Sequence, residues 1–145
     1  MVKDEYLTEE RELLYRQIHP GFIHDGRVSS QAFSPTPKDE NQLSVDRSSL
    51  TTARESFEFF ISREGCQSAG VYGVTVGECR NCDLSVRADP LEPSPSSAGN
   101  AAHALIDFSA LPSNSQREKR AKKLARHARD RSWQFRPEHL ASATP

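Results

Sequence analysis

The sequence lacks the features that identify an exported or membrane-embedded protein. It has 3 cysteines, an odd number that does not suit a disulfide framework, and its first residues are polar and acidic rather than apolar. The longest apolar runs, such as 71–76 and 101–106, fall far short of the roughly 20 residues that span a bilayer. We therefore expect a cytoplasmic protein with no membrane partner.

The common catalytic and nucleotide-binding signatures are also missing. The sequence contains no Walker loop, no GxGxxG, no GxSxG and no HExxH. The formal net charge of -1 excludes binding of a polyanion by the whole protein surface, although charge can still be concentrated locally. Any function must therefore be read from shorter patterns.

Length and composition predict one small domain with long loops. The chain has 145 residues, of which 35% are hydrophobic and 9 are proline, and its mean hydropathy is -0.69. We expect a single α+β domain over residues 1–137, with a flexible loop over 92–100 and a frayed tail over 138–145. The sequence leaves the oligomeric state open.

Periodicity and capping residues predict two main helices and a small mixed sheet that is mainly antiparallel. Thr52 and Glu55 form a capping box that predicts a helix over 53–64, and Ser115 with Glu118 predicts another over 116–131. Strands are expected near 13–18, 27–33, 43–47, 70–76, 84–86 and 103–108. The predicted core consists of Phe57, Phe60, Ile61, Val74, Val76, Leu105, Ile106 and Leu124.

The second predicted helix carries a concentration of positive charge. Such a helix could contact phosphates or an acidic protein surface, and Trp133 or Phe135 could stack on a base. The alternative is a solvated helix face whose cationic end complements the helix dipole. The main hypothesis is a binding or accessory domain that engages an acidic protein or nucleic acid through this helix. The residues of that surface are Lys119, Arg120, Lys122, Lys123, Arg126 and Arg129.

The cysteines raise the question of a metal or redox site. Cys79 and Cys82 form a CxxC motif, which with Cys66 and His103 would complete a tetrahedral zinc site. Structural zinc sites usually have two close ligand pairs, and a thioredoxin-like motif needs a helix that begins directly at CxxC. We therefore expect ordinary thiols and no metal, with zinc and redox chemistry as alternatives.

A few titratable residues could act near neutral pH. His19 and His103 are histidines outside the basic region, although a lone histidine is usually structural. Asp39 and Asp46, in or beside the long loop, could share a site with Arg16. Carboxylates in such loops are more often solvated or cap turns.

Three stretches resemble known proteins. They are residues 14–20 (LYRQIHP), residues 43–45 (LSV) leading into the Thr52-capped helix, and residues 73–76 (GVTV) with the later 102–106 (AHALI). Together they resemble a group of small bacterial hypothetical proteins to which no activity is attached. Their order is also similar to the ADP-ribosyltransferase superfamily, especially RES-type toxins, in which a YR strand precedes a strand-to-helix turn and two further strands.

The second resemblance implies an alternative function, that of an NAD-using transferase with a non-standard catalytic set. It implies Arg16, or His19, on the phosphates or ribose of NAD, and Ser44 or Ser48 near the nicotinamide. The acidic residue that the superfamily carries on a late strand has no clear counterpart, because His103 or Asn100 occupies the matching region and Glu78 comes one strand early. The candidate catalytic residues are Arg16, His19, Ser44 and His103. NAD is a cofactor of this alternative only.

Overall fold

The computed structural model describes residues 3–138 and contains ten regular strands and helices within that range. The strands are β1 (Leu13–Gln17), β2 (Ile23–His24), β3 (Arg27–Val28), β4 (Gln42–Arg47), β5 (Val71–Thr75), β6 (Ser85–Ala88) and β7 (His103–Asp107). The α-helices are α1 (Ala53–Ile61), α2 (Val76–Asn81) and α3 (Asn114–Arg131). Short 3-10 helices cover Pro20–Phe22, Ser30–Phe33 and Pro37–Asp39.

Five strands form the main sheet, in the order β5-β1-β4-β7-β6. Every neighbouring pair runs antiparallel, and β2 and β3 form a separate small hairpin. The predicted α+β class and the mainly antiparallel sheet are therefore confirmed. None of the helices in residues 3–138 has the length and apolar character to cross a membrane.

Alternation along the strands gives the sheet one apolar face and one polar face. On β4, Val45 is buried whereas Ser44 beside it is exposed, and on β7, Ile106 is buried whereas His103 is only partly covered. Because strand side chains alternate, Ser44 and His103 lie on the same, polar face. The apolar face shares one hydrophobic core with the buried stripe of α3, which consists of Ala121, Leu124, Ala125 and Ala128.

Helix α1 lies against the polar face, where hydrogen bonds as well as apolar contacts hold it. The Ser56 hydroxyl donates to Asp46 Oδ2 at 2.7 Å and accepts from Gln17 Nε2 at 2.9 Å. The helix begins at the predicted capping box, since Thr52 Oγ1 accepts from the Glu55 N–H. This placement leaves an opening between α1 and the sheet.

The predicted core is partly wrong because α1 packs on the polar face. Val74, Val76, Ile106 and Leu124 are fully buried in the main core as expected. Ile61, in the last turn of α1, is 43% exposed. Phe60, which lines the opening beside α1, and Leu105 on β7 are only half-buried. The largest fully buried side chains include four that lie outside the predicted core, namely Phe33, Phe108, Leu14 and Ile18.

Three predicted elements also differ from the structure. The strand expected over 27–33 ends at Val28, because the Ser29 hydroxyl caps a 3-10 helix that begins at Ser30. Helix α1 ends at Ile61 rather than at 64. Helix α3 begins at Asn114, since Ser113 rather than Ser115 accepts from the Gln116 N–H.

The loop predicted to be flexible, 92–100, is closed at its base by backbone hydrogen bonds. The N–H of Leu91 donates to Asn100 O at 2.9 Å, and the Asn100 N–H donates back at 2.8 Å. A second bridge joins Ser94 and Ser97. The predicted frayed tail lies outside the described residues from 139 onward.

Candidate functional site

A cleft of about 320 Å³ opens on the polar face of the sheet, beside α1. Strands β1 and β4 pair at Leu14 with Arg47 and at Tyr15 with Asp46, and the register goes no further. Beyond that point the two strands separate and the cleft forms. The four candidate catalytic residues predicted from the sequence all line it, namely Arg16, His19, Ser44 and His103.

Arg16 occupies the gap between the two strands and binds backbone. It alternates with Tyr15 and so belongs by position to the apolar face, but its guanidinium borders the cleft. Nε donates to Ala32 O at 2.9 Å and Nη1 donates to Ser44 O at 3.0 Å. Burial lowers the pKa of Arg16 to about 10, although Asp39 acts in the opposite direction, so the group stays charged at neutral pH. Arg16 therefore positions β4 at Ser44.

His19 lies at the rim of the cleft, where it caps the 3-10 helix that begins at Pro20. Its Nδ1 accepts from the Gly21 N–H at 2.9 Å, so in the neutral ring the proton is on Nε2. The ring makes an edge contact with Phe22, with centroids 6.1 Å apart. Aromatic side chains also line the cleft walls, from β1, the His19 turn and α1: Tyr15, Phe22, Phe59 and Phe60.

Ser44, His103 and Asp89 form a hydrogen-bonded row along one side of the cleft. Ser44 Oγ lies 3.1 Å from His103 Nε2, and His103 Nδ1 lies 3.0 Å from Asp89 Oδ2 and 3.1 Å from Asp89 O. The His103 and Asp89 side chains are each 14% exposed, whereas Ser44 is exposed. Backbone pairing fixes the row, because the Asp89 N–H donates to His103 O at 2.9 Å.

The hydrogen bonds of the ring assign the tautomer of His103. Both groups within reach of Nδ1 are oxygen acceptors of Asp89, so Nδ1 carries the proton. In the neutral ring Nε2 then has a lone pair directed at the Ser44 hydroxyl. Ser44 donates to His103, and His103 donates to Asp89.

A second polar row crosses the floor of the cleft and holds a carboxylate there. Asp46 accepts from the Ser56 hydroxyl at 2.7 Å and from Asn100 Nδ2 at 2.8 Å. Ser56 continues to Gln17, whose Oε1 accepts from Ser68 at 2.8 Å. Asp46 lines the same cleft as Arg16, whereas Asp39 is exposed, does not line the cleft and acts on Arg16 only through its charge.

Sequence reasoning did not single out Asp89, and it placed Asn100 in the region of the expected acidic residue without giving it a role. Asp89 reaches His103 only because β6 and β7 pair with Ala88 opposite Ala104, and the long connection between the strands hides that register in the sequence. Asn100 lies beside Gly99, whose φ of +78° favours glycine. A glycine followed by asparagine at the end of a loop was the one available signal.

The two cysteines of the CxxC motif, Cys79 and Cys82, are not brought together with Cys66 and His103. Cys66 and His103 line the cleft, whereas Cys79 lies in α2 and Cys82 caps its C-terminus, both buried. Within residues 3–138, no three His, Cys, Asp or Glu side chains are arranged to hold a metal ion. Burial raises the pKa of both the Cys79 and Cys82 thiols, which reduces their nucleophilicity.

Half of the cations of α3 bind the protein itself. Arg117 donates to Leu111 O, Arg129 donates to Val28 O, and Arg120 pairs with Asp83 at 3.2 Å. Arg131 forms a bidentate pair with Glu78. Four exposed cations at helical spacing make no ion pair within residues 3–138, and we call them the basic strip: Lys119, Lys122, Lys123 and Arg126.

The two aromatic residues after α3, Trp133 and Phe135, both make ring contacts within the protein. Trp133 lies against Tyr72, with ring centroids 4.4 Å apart, and Arg136 lies 4.9 Å from the Trp133 ring. Phe135 contacts Phe57, with centroids 5.1 Å apart.

No protein-family model, no curated protein and no solved structure matches this chain.

Proposed function

We propose that this protein binds a nucleotide-like small molecule in the cleft and acts on it there, with NAD as the first candidate. The observation that carries the proposal is that Arg16, His19, Ser44 and His103, which are far apart in sequence, line one cleft. A volume of about 320 Å³ lies within the range of small-molecule sites. The ADP-ribosyltransferase resemblance of the sequence implies the same four residues.

The walls of the cleft suit a flat ring joined to an anionic group. Tyr15, Phe59 and Phe60 offer aromatic surface on which a nicotinamide or adenine ring can stack. Arg63 and His19 line the same cleft and can donate to phosphate oxygens. Because two donors of Arg16 already bind backbone carbonyls, Arg63 is the better candidate for the principal phosphate contact.

Asp46 is the candidate for the carboxylate that the ADP-ribosyltransferase resemblance implies on a later strand. It lies on β4, opposite His103, and hydrogen bonds from Ser56 and Asn100 hold it in place. A fixed negative charge of this kind stabilises the positive centre that develops when the bond between nicotinamide and ribose breaks. The proposed transferase chemistry therefore uses Asp46.

Calorimetric titration with NAD and with ADP-ribose tests the proposal. We expect saturable binding that weakens by about tenfold in Arg63→Gln, because one charge-assisted contact to phosphate is lost. Arg54→Gln is the matched control, since Arg54 is an exposed arginine in α1, the helix that precedes Arg63, and it pairs with Glu58. No heat with either ligand at millimolar concentration would reject the nucleotide-like ligand.

A second candidate function is the binding of an acidic protein or nucleic acid through the basic strip. The observation that favours it is that four exposed cations share one face of α3 without an ion pair in residues 3–138. Lys122 also lines a cavity of about 270 Å³ together with Arg27 and Arg129, which extends the positive surface. Such binding weakens steeply with salt.

The triple variant Lys119→Gln, Lys122→Gln, Arg126→Gln tests the second candidate. These side chains lie off the buried stripe of α3, so we expect unchanged thermal stability and reduced retention on heparin or RNA. Arg54→Gln with Arg63→Gln gives a control that removes positive charge elsewhere. Unchanged retention of the triple variant would mean that the basic strip is a solvated helix face and does not bind a polyanion.

A further inference from the structure

We propose that Ser44 is an activated nucleophile, with His103 as its general base and Asp89 as the residue that positions the imidazole, and that the cleft hydrolyses small carboxylic esters. The inference rests on the proposed function for the place where substrate binds, but its chemistry follows from the three side chains alone. Their distances of 3.1 Å and 3.0 Å form one continuous row from hydroxyl to imidazole to carboxylate.

Exposure along the row runs in the order that nucleophilic catalysis requires. Ser44 is exposed at the cleft, where a substrate carbonyl can reach its oxygen. His103 and Asp89 are each only 14% exposed, so bulk water competes little for the two inner hydrogen bonds. A surface hydrogen bond without function needs no such gradient.

The assigned tautomer gives His103 the basic nitrogen on the correct side. Its Nδ1 proton is held by the Asp89 carboxylate and also by the Asp89 backbone carbonyl, which leaves Nε2 to accept the Ser44 proton. Lys3 Nζ lies 3.8 Å from Asp89 Oδ1, on the side of the carboxylate away from the imidazole contact. The carboxylate in turn stabilises the imidazolium that forms when His103 takes the proton.

Backbone contacts hold both ends of the row in place. Arg16 Nη1 donates to Ser44 O at 3.0 Å, at the point where β4 separates from β1. On β7, the pairing of Asp46 with His103 places the imidazole across from the second carboxylate of the cleft. Preorganisation of this kind is what a catalytic row needs and what mobile surface side chains lack.

The reaction balances without any further reagent than water. Ser44 Oγ attacks the ester carbonyl carbon while its proton moves to His103 Nε2. The tetrahedral intermediate then releases the alcohol, which takes the proton from His103, and leaves an acyl group on Ser44. Water attacks the acyl carbon, gives one proton to His103, and releases the acid as Ser44 recovers its proton. The net change is ester plus water to acid plus alcohol.

Tyr15 and Arg63 border the same cleft and are the candidate donors to the oxyanion of the tetrahedral intermediate.

The experiment is covalent labelling of the full chain with a fluorophosphonate, followed by peptide mapping, together with p-nitrophenyl acetate hydrolysis. We expect one adduct, on Ser44. Ser44→Ala should remove both the adduct and the hydrolysis, and His103→Gln should slow labelling roughly 100-fold or more. His127→Gln is the matched control, because His127 also pairs with a carboxylate, Glu78 Oε2 at 3.3 Å, yet does not line the cleft. That variant should label at the original rate.

The role of Asp89 is tested by two conservative variants. If its charge stabilises the imidazolium, Asp89→Glu should retain more of the labelling rate than Asp89→Asn. If Asp89 only fills space and hydrogen-bonds, Asp89→Asn, which keeps the shape, should be the better tolerated of the two. That second order of rates would contradict the assigned role.

The outcomes separate this inference from the proposed function. An adduct mapped to another serine, or no adduct on a chain that still binds NAD, overturns the Ser44 row and leaves the ligand proposal standing. Labelling of Ser44 without NAD or ADP-ribose binding supports the row and rejects the ligand class. Peptide mapping of the labelled protein without substitutions shows whether Ser44 carries the adduct, even if a variant fails to fold.

Discussion

At the scale of single residues, Glu12 and Arg47 form an ion pair that is buried among apolar side chains. Both residues are 8% exposed, and Arg47 donates to the two Glu12 oxygens at 3.0 Å and 2.9 Å. Ser49 Oγ donates to the same carboxylate at 2.5 Å. The pair compensates two charges that lie inside the fold, so neither can be removed alone without a large cost.

Glu12→Gln should therefore destabilise the protein by about 3–5 kcal/mol, because it removes the buried carboxylate charge that binds the Arg47 guanidinium through two hydrogen bonds. Denaturant titration measures the change. The control is Glu58→Gln, which breaks an exposed pair with Arg54 and should cost less than about 0.5 kcal/mol. Equal effects of the two substitutions would show that burial of the Glu12 pair contributes nothing.

The same contact predicts how stability depends on pH. Burial by itself would raise the pKa of Glu12, but the hydrogen bonds and charge of Arg47, with Ser49, bring it below the ordinary value of 4.5. A carboxyl whose folded pKa is lowered contributes stability above its unfolded pKa and loses it as pH falls through the folded value. We expect stability to decline below about pH 4.5. The decline should be shallower in Glu12→Gln, and identical slopes would contradict the assignment.

Two apolar residues of α1, Phe57 and Ile61, should respond differently to truncation of their side chains to alanine. Phe57 is 6% exposed and packs on Phe135, so Phe57→Ala should cost about 3 kcal/mol. Ile61 is 43% exposed, so Ile61→Ala should change stability by less than about 1 kcal/mol. Denaturant melts of both variants decide the orientation of α1. A larger loss for Ile61 than for Phe57 would mean that the helix is rotated from the position described.

At the scale of elements, α2 connects the sheet to the end of α3 through Glu78. The Glu78 N–H donates to Thr75 Oγ1, and its carboxylate accepts from the Thr75 N–H, which completes a capping box. Arg131 binds the same carboxylate at 2.9 Å and 2.8 Å and also donates to Gly73 O. One glutamate thus begins one helix and holds the end of another.

Arg131→Met should therefore loosen the C-terminal turn of α3 and cost about 2 kcal/mol, since it removes charge-assisted hydrogen bonds that are only partly exposed. Amide hydrogen exchange should show faster exchange in the last turn of α3. Arg126→Met, on the exposed face of the same helix, is the matched control. Equal protection in the two variants would assign the stability of this turn to apolar packing alone.

Helices and strands were predictable where neighbouring residues determine them, and not where contacts between residues distant in sequence determine them. The Thr52 capping box and the alternation of β4 and β7 are local, and the structure has both. Thr75 with Glu78 followed the same capping rule and was overlooked because the β-branched run before it favoured a longer strand. Phe57 and Ile61 share one helical pattern, and only the position of α1 on the polar face distinguishes them.

At the scale of the whole molecule, the residues of the cleft were predictable but their contacts were not. Short stretches of sequence pointed to Arg16, Ser44 and His103, whose side chains border one opening. The partner of His103 was not foreseen, because Asp89 reaches it through the register of two strands joined by a long loop. The binding of Arg16 to backbone carbonyls likewise depends on the separation of β1 and β4, which no local pattern encodes.

The central claim is that the cleft, rather than the basic strip, is the principal functional site. The most direct measurement is a titration of isotopically labelled protein with NAD, followed by amide chemical shifts. The account predicts shifts that cluster at Tyr15, Ser44, Asn100 and His103 and leave the exposed face of α3 unchanged. Shifts confined to residues 119–126, or no shifts at millimolar NAD, would contradict it.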